Sequence, residues 1–323
     1  PKIAPEVADV SAAGGARFML GAWDMDASLV YGTNRMEFTI RDTLNRSIGP
    51  SSKTVFDAGG FEYGQVVFNF SGVRQYDMGL ASPLNVAAGV EWRKESYEIF
   101  AGEPDSYRNG GVLLGGQPTA SGAQVFPGFR PANEVDAYRD ATGVYLYLEA
   151  NLTDALLVSA AVRGESYSDF GETATGKLSA RYDFSDWFAL RTSVQNGFRA
   201  PSLQQQHFAT TSTNFIGGVP FDITTFPVTD PVAIALGAEA LDAEKSINYS
   251  LGAVVRVGDF SLTVDGYRID VDDRIVLSEN LTAANVRAFL QAQGFIGSGG
   301  GRFFINGVDT ETQGVDIVAD YSF

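Results

Sequence analysis

The chain has 323 residues, no cysteine and a formal net charge of −16. Absent thiols exclude disulfides, thiolate metal sites and cysteine nucleophiles, and the acidic balance argues against a general nucleic-acid partner. No apolar run approaches the ~20 residues of a spanning helix, which excludes a helical membrane protein but not a membrane β-barrel, where only alternate residues face lipid.

In chain order, Pro1 opens the sequence with neither Met nor signal peptide, which reads as an excised segment of something longer. Small mixed residues from Pro1 to Ala16 predict a loop. Trp23, Met25, Ala27, Leu29 and Tyr31 then alternate with Ala22, Asp24, Asp26 and Ser28, the period-2 pattern of a strand between an oily and a polar space. Asn34 to Arg41 reads as a second strand and Leu44 to Ser52 as a loop. Glu62 to Tyr76 alternates again, and Leu84 to Phe100 follows after a turn at Asp77 to Pro83. Such strands exceed the usual ~5–6 residues and match the ~9–11 that a tilted spanning strand needs.

Gly102 to Asp140 is rich in Gly and Pro and predicts a long irregular stretch. Alternating runs follow at Val144 to Leu152, Leu156 to Arg163, Leu178 to Phe184 and Phe188 to Gln195. They are separated by Thr153-Asp154, Ser168 to Glu172 and Ser185-Asp186. In Trp187 to Ser202, Phe188, Leu190, Thr192 and Val194 oppose Ala189, Arg191, Ser193 and Gln195. Pro201 then ends the ladder, because it has no N–H to give. A loop to roughly Ala243, strands from Tyr249 and Phe260, and a closing strand from Val315 complete the pattern. Between the last two, helical spacing at Val286, Phe289 and Leu290 predicts a short helix, and Gly297 to Gly301 a flexible segment.

From Leu84 onward the connections run long, short, medium, short, long, short, long, the parity of outer-membrane barrels with short periplasmic turns and long external loops. Arg163, Arg181, Arg191 and Arg256 all fall on the polar set of their strands. A lipid-facing Lys or Arg at mid-depth costs ~2–4 kcal/mol, so the placement fits a membrane wall. A soluble sandwich also turns polar residues outward.

Six ordered segments carry a family resemblance. They are Pro83 to Glu95 (PLNVAAGVEWRKE), Ala101 to Tyr107 (AGEPDSY), GFRAPSLQQ from Gly197, Leu241 to Gly252 (LDAEKSINYSLG), Ser261 to Ile275 and Glu311 to Tyr321. Together they resemble the barrels of TonB-dependent outer-membrane receptors. The resemblance implies an all-β fold: an antiparallel transmembrane β-barrel segment of about a dozen strands, with long external loops and one short loop helix. Residues 1–323 would be a partial barrel domain in the outer membrane of a Gram-negative cell. The family's plug domain and TonB-contacting box have no counterpart in the sequence. An unclosed sheet in lipid would leave backbone groups unpaired at both edges, at several kcal/mol each, so the segment is not expected to insert alone. The implied function is TonB-coupled uptake of a scarce solute: a ferric siderophore, a vitamin or an oligosaccharide. The implied partners are outer-membrane lipid, the plug and remaining strands, and the TonB machinery. No enzyme activity and no cofactor are implied. The rival readings are a passive porin and a soluble β-rich enzyme or adhesin.

Tyr107, Arg108 and Asn109, with Phe126 to Arg130, place aromatics and Arg in external loops. They suit either sugar or metal-chelate recognition or simple loop packing. Gly197, Phe198, Arg199, Ala200, Pro201 and Ser202 belong to the family signature and read as structural, at the exit from strand to loop. His207, the only histidine, has no partner His or Cys for a metal and reads as a loop residue. Asp272-Asp273 and Glu103/Asp105 are acid pairs of the kind glycosidases use, but solvated charges describe them better. The glycine runs lack the strand–loop–helix context of a phosphate cradle.

Overall fold

Alternation in the sequence becomes a single curved layer. In a computed structural model, which describes residues 1–216, 219–295 and 298–323, eleven strands form one antiparallel sheet in strict chain order. They are β1 (Lys2–Leu20), β2 (Trp23–Arg41), β3 (Val55–Tyr76), β4 (Leu84–Phe100), β5 (Val135–Thr153), β6 (Leu156–Tyr167), β7 (Gly171–Ser185), β8 (Phe188–Arg199), β9 (Glu244–Val257), β10 (Phe260–Leu277) and β11 (Phe304–Tyr321). The shortest have 12 residues and the longest 22, more than a membrane crossing requires. β1 and β11 are the edges and do not pair with each other.

The structure corrects four readings of the sequence. The segment read as a loop at Pro1 to Ala16 is most of β1, paired along its length with β2. Asn34 to Arg41 is not a second strand but the upper half of β2. The irregular stretch from Gly102 ends earlier than expected, because β5 already begins at Val135. Of the run read as flexible, Gly299 to Gly301 lies in a strand, Ser298–Arg302, paired in parallel with Val219–Thr225; Gly297 lies outside the described residues.

The expected parity of connections holds along the whole sheet, although the loop-side link at 168–170 is shorter than the turn-side link at 77–83. Short links at residues 21–22, 77–83, 154–155, 186–187 and 258–259 share one side. Residues 42–54, 101–134, 168–170, 200–243 and 278–303 connect the strands on the other. Register then sorts the side chains. Ala27, Phe70, Val90 and Val144 are successive cross-strand partners, as are Leu146 and Val162, then Ala160, Leu178, Val194 and Tyr249. Because pairing preserves the face, these residues form one outward apolar surface. Among the described residues no second sheet covers it, and Leu251, Val162 and Leu178 are 62%, 59% and 53% exposed. That arrangement is the opposite of a sandwich, where such residues pack between layers.

On β3 and β4 cations limit this band at both ends; a further outward cation, Arg268, is the register partner of Tyr249 and is paired with Asp270 (3.0 Å) and Glu311 (2.9 Å). On the outward set of β3 and β4, Arg74 lies near the short-turn side and Lys94 near the long-loop side. Each rests on an aromatic ring, Arg74 at 4.6 Å from Tyr76 and Lys94 at 4.9 Å from Tyr138. Arg74 pairs with Val86, and the eight residue steps from there to Lys94, at ~3.3 Å each and tilted ~40°, rise about 20 Å, close to the ~25 Å of an outer-membrane apolar band.

The inward face is polar and self-neutralised. Arg191 grips Asp265 with two hydrogen bonds of 2.9 and 2.5 Å, Arg181 holds Asp183 at 2.6 Å, and Arg163 bridges Glu91 (3.1 Å) and Glu165. Ser159–Ser179 and Ser193–Ser250 add hydroxyl pairs at 2.6 and 2.8 Å. All four arginines assigned to the polar set by sequence are in these strands, none on the oily set.

Candidate functional site

Toward the long-loop side the inward face changes from polar to aromatic, and the loops pack on it. A bulge in β3 makes part of that change. Pairing with β2 slips between Glu37 and Thr39, opposite Ala58-Gly59. Gly59 has φ +74°, and a Cβ there would lie 2.3 Å from the Phe100 carbonyl oxygen, so only glycine fits. The extra residue turns Phe56 toward Ile40, and both are fully buried with Ala58 and Ala123. Beside them Tyr97, Ile99, Phe129 and Leu203 form a second cluster, flanked by Phe38, Phe61 and Phe208.

Two polar staples fix the loops. Asn45, fully buried, donates to the Asp105 and Arg108 carbonyls (3.0 and 2.9 Å) and accepts from Ser47, which joins residues 42–54 to 101–134. The other staple rises from the wall. Glu95 accepts from both Tyr63 and Arg139. Arg139 in turn donates to the Pro201 carbonyl at 2.6 Å and approaches Asp169 at 3.5 Å. Gln206 closes the circuit by donating to Asp169 (2.9 Å) and the Pro201 carbonyl (3.3 Å). Glu95 and Arg139 are 6% and 5% exposed, so neither charge has water to fall back on.

The family signature supplies the top of this circuit. After Pro201, Ser202 caps α2 (Leu203–His207): its hydroxyl accepts from the Gln205 N–H at 3.0 Å, and the Gln205 side chain accepts from the Ser202 N–H at 3.0 Å. Ser202→Ala is expected to cost about 1 kcal/mol locally, read as roughly fivefold faster amide exchange in α2 with the strands unchanged. Phe198 packs edge-on to Tyr167 at 5.9 Å, and a Cβ on Gly197 would meet the Ser246 hydroxyl at 2.9 Å. Arg199 reaches buried Glu244 at 3.3 Å, which also accepts from the Ile275 N–H. Ala200 lines, with Arg93, Arg139, Arg163 and Tyr167, an inward cleft of ≈ 500 Å³ beneath the signature. His207 ends α2; burial lowers its pKa and nearby Asp169 opposes that shift.

The residues offered as a loop surface are placed as follows. Tyr107 ends the short helix α1 (Pro104–Tyr107) and is half-buried. Arg108 and Asn109 follow on the exposed tip, Arg108 bonded to Asp105 at 2.5 Å and Asn109 accepting from the Gly111 N–H. Phe126 packs between Phe38 (5.4 Å) and Phe129 (5.5 Å). Arg130 opens a 3-10 turn over Pro131–Asn133, where its N–H donates to the Asn133 side chain. The acid pairs separate: Glu103 takes Lys53 (2.5 Å) while Asp105 takes Arg108. Asp273 sits at φ +58° in a bulge, its N–H bonded to Asp309. The sequence reading missed Asn45, Glu95, Arg139 and Asp169. Glu95 lay inside a recognised motif; Arg139 lay in a stretch read as loop, where nothing marked it as inward.

A second loop unit stands over β9–β11. It contains the antiparallel strands Thr210–Ile216 and Val219–Thr225, the strand Ser298–Arg302, α3 (Pro231–Ala235) and α4 (Ala284–Ala292), which matches the helix expected around Val286, Phe289 and Leu290. Phe226, Ala233, Ala238, Leu290 and Phe303 form its own buried core.

These features define a membrane-spanning β-barrel wall with structured loops on one side. The TonB dependent receptor-like, beta-barrel family matches residues 10–323, and the chain belongs to that family. It is 25% identical over 193 residues to the ferric enterobactin receptor PirA of Pseudomonas aeruginosa, covering 59% of this chain and 24% of that protein. It is 23% identical over 203 residues to the vitamin B12 transporter BtuB of Vibrio vulnificus, covering 62% and 24%. The fold superposes on the siderophore receptor PirA from Acinetobacter baumannii with a TM-score of 0.68 at 15% identity, covering 99% of this chain and 43% of that one. The matched stretches thus cover only 24% of the length of each of these curated relatives.

Proposed function

We propose that this wall belongs to an outer-membrane receptor that imports a scarce solute with energy from the TonB machinery. The observation that carries the reading is that connections fall alternately on two sides, with every large structured loop on the same one, across an outward band about 20 Å high. The ligand is a ferric siderophore, a vitamin or an oligosaccharide, and relatives named for ferric enterobactin and vitamin B12 support the first two. The two free sheet edges support further strands beside β1 and β11, and the polar inward face supports a plug against it. Tyr107, Arg108, Asn109 and Arg130 are the proposed ligand-facing residues, and Phe126 supports them from beneath. No bond in the solute is made or broken.

Uptake by the full-length protein, assayed with and without the inner-membrane energy source, tests this. Uptake should fall to the background of a deletion strain when the energy source is removed. Undiminished uptake would reject energy coupling and leave the passive porin.

A further inference from the structure

Arg302 lies in the second loop unit, half-buried, and among the described residues no carboxylate pairs with it; burial pushes its guanidinium pKa down. A half-buried guanidinium without a counter-charge is costly unless an anion arrives. Its surroundings suit one. Nε donates to the Thr225 hydroxyl at 2.9 Å, and Nη2 approaches the Ser212 hydroxyl at 3.5 Å. Thr210 is the register partner of Thr225, and strand alternation puts it on the same face as Ser212. Thr210 is 4% exposed, and its hydroxyl is buried without a hydrogen-bond partner among the described residues. Thr225 is 2% exposed, so Thr210 and Thr225 make a floor, while Ser212 and Arg302 are open on one side.

From this convergence of one guanidinium and three hydroxyls, we propose that Arg302, Thr210, Ser212 and Thr225 form an oxyanion-binding site in the loop unit. The group bound is a compact phosphate or carboxylate. Arg302 supplies the charge and a planar pair of donors, and the hydroxyls take the remaining oxygens. The orphaned Thr210 hydroxyl gains its missing partner at the same time. The site goes beyond the uptake reading, since binding here needs no energy source, and it is tested on the purified protein so that the two fail separately.

Inorganic phosphate and citrate are titrated by calorimetry into the full-length protein in detergent, at low and high chloride. One of the two should bind saturably, and Arg302→Gln should weaken it at least tenfold. Thr210→Val preserves shape and should weaken it three- to tenfold, which keeps the test valid if Arg302→Gln misfolds. Phosphate alone binding identifies a phosphoryl group, and citrate alone a carboxylate. No saturable binding of either probe, or unchanged affinity in Thr210→Val, overturns the proposal.

Discussion

Leu146→Arg is expected to destabilise the full-length barrel by ~2–4 kcal/mol, whereas Gln195→Arg should cost well under half of that. Leu146 is on the outward set of β5, well below Lys94 in the register, and its cross-strand neighbours Ala88 and Val162 are apolar. A guanidinium there faces hydrocarbon with nothing to pair it. Gln195 is on the inward set of β8, beside Lys177 and Asn248, where a cation is already accommodated. Denaturant unfolding from lipid vesicles reads the difference. Equal losses for the two variants would mean that both faces meet the same medium, and the membrane reading would fall.

Arg139→Ala should be comparably severe, by another route. It strands the Glu95 carboxylate in a buried site and removes a strong donor from the Pro201 carbonyl, a change of ~3–5 kcal/mol. The loss should fall first on the staple, so limited proteolysis should cut within residues 200–209 while the strands stay protected. Glu95→Gln combined with Arg139→Leu removes both charges and should recover part of the stability. Wild-type resistance to proteolysis in Arg139→Ala would show that the circuit does not hold α2 in place.

Where one side of a strand meets hydrocarbon, alternation of residue type gave its position directly; β4 and β8 are the clearest cases. The same logic explains the misses. In β1 the outward set is Ala8, Val10, Ala12, Gly14 and Ala16, too small to contrast with Ser11, Ala13 and Gly15 opposite. Pro5 is accommodated because β1 is an edge strand of this sheet. At the top of β3 the period-2 pattern breaks at the Gly59 bulge, so the alternation legible in sequence starts at Glu62 although the strand begins at Val55. Above the membrane band the inward residues Phe38, Tyr97 and Ile99 turn oily because loops cover them, which reverses the cue. The Arg139 circuit joins residues 44 and 62 positions apart, and no local pattern carries such pairings. The signature at Gly197 to Ser202 was legible as a strand exit, but not as the ceiling of that circuit.

The direction of the two edge strands has a consequence for closure. β1 runs from the long-loop side to the short-turn side, and so does β11, because ten reversals separate them. Side by side they would be parallel, out of keeping with every other neighbour in the sheet. A cylinder that keeps its antiparallel weave must therefore insert an odd number of staves between them, the outermost two climbing where β1 and β11 descend.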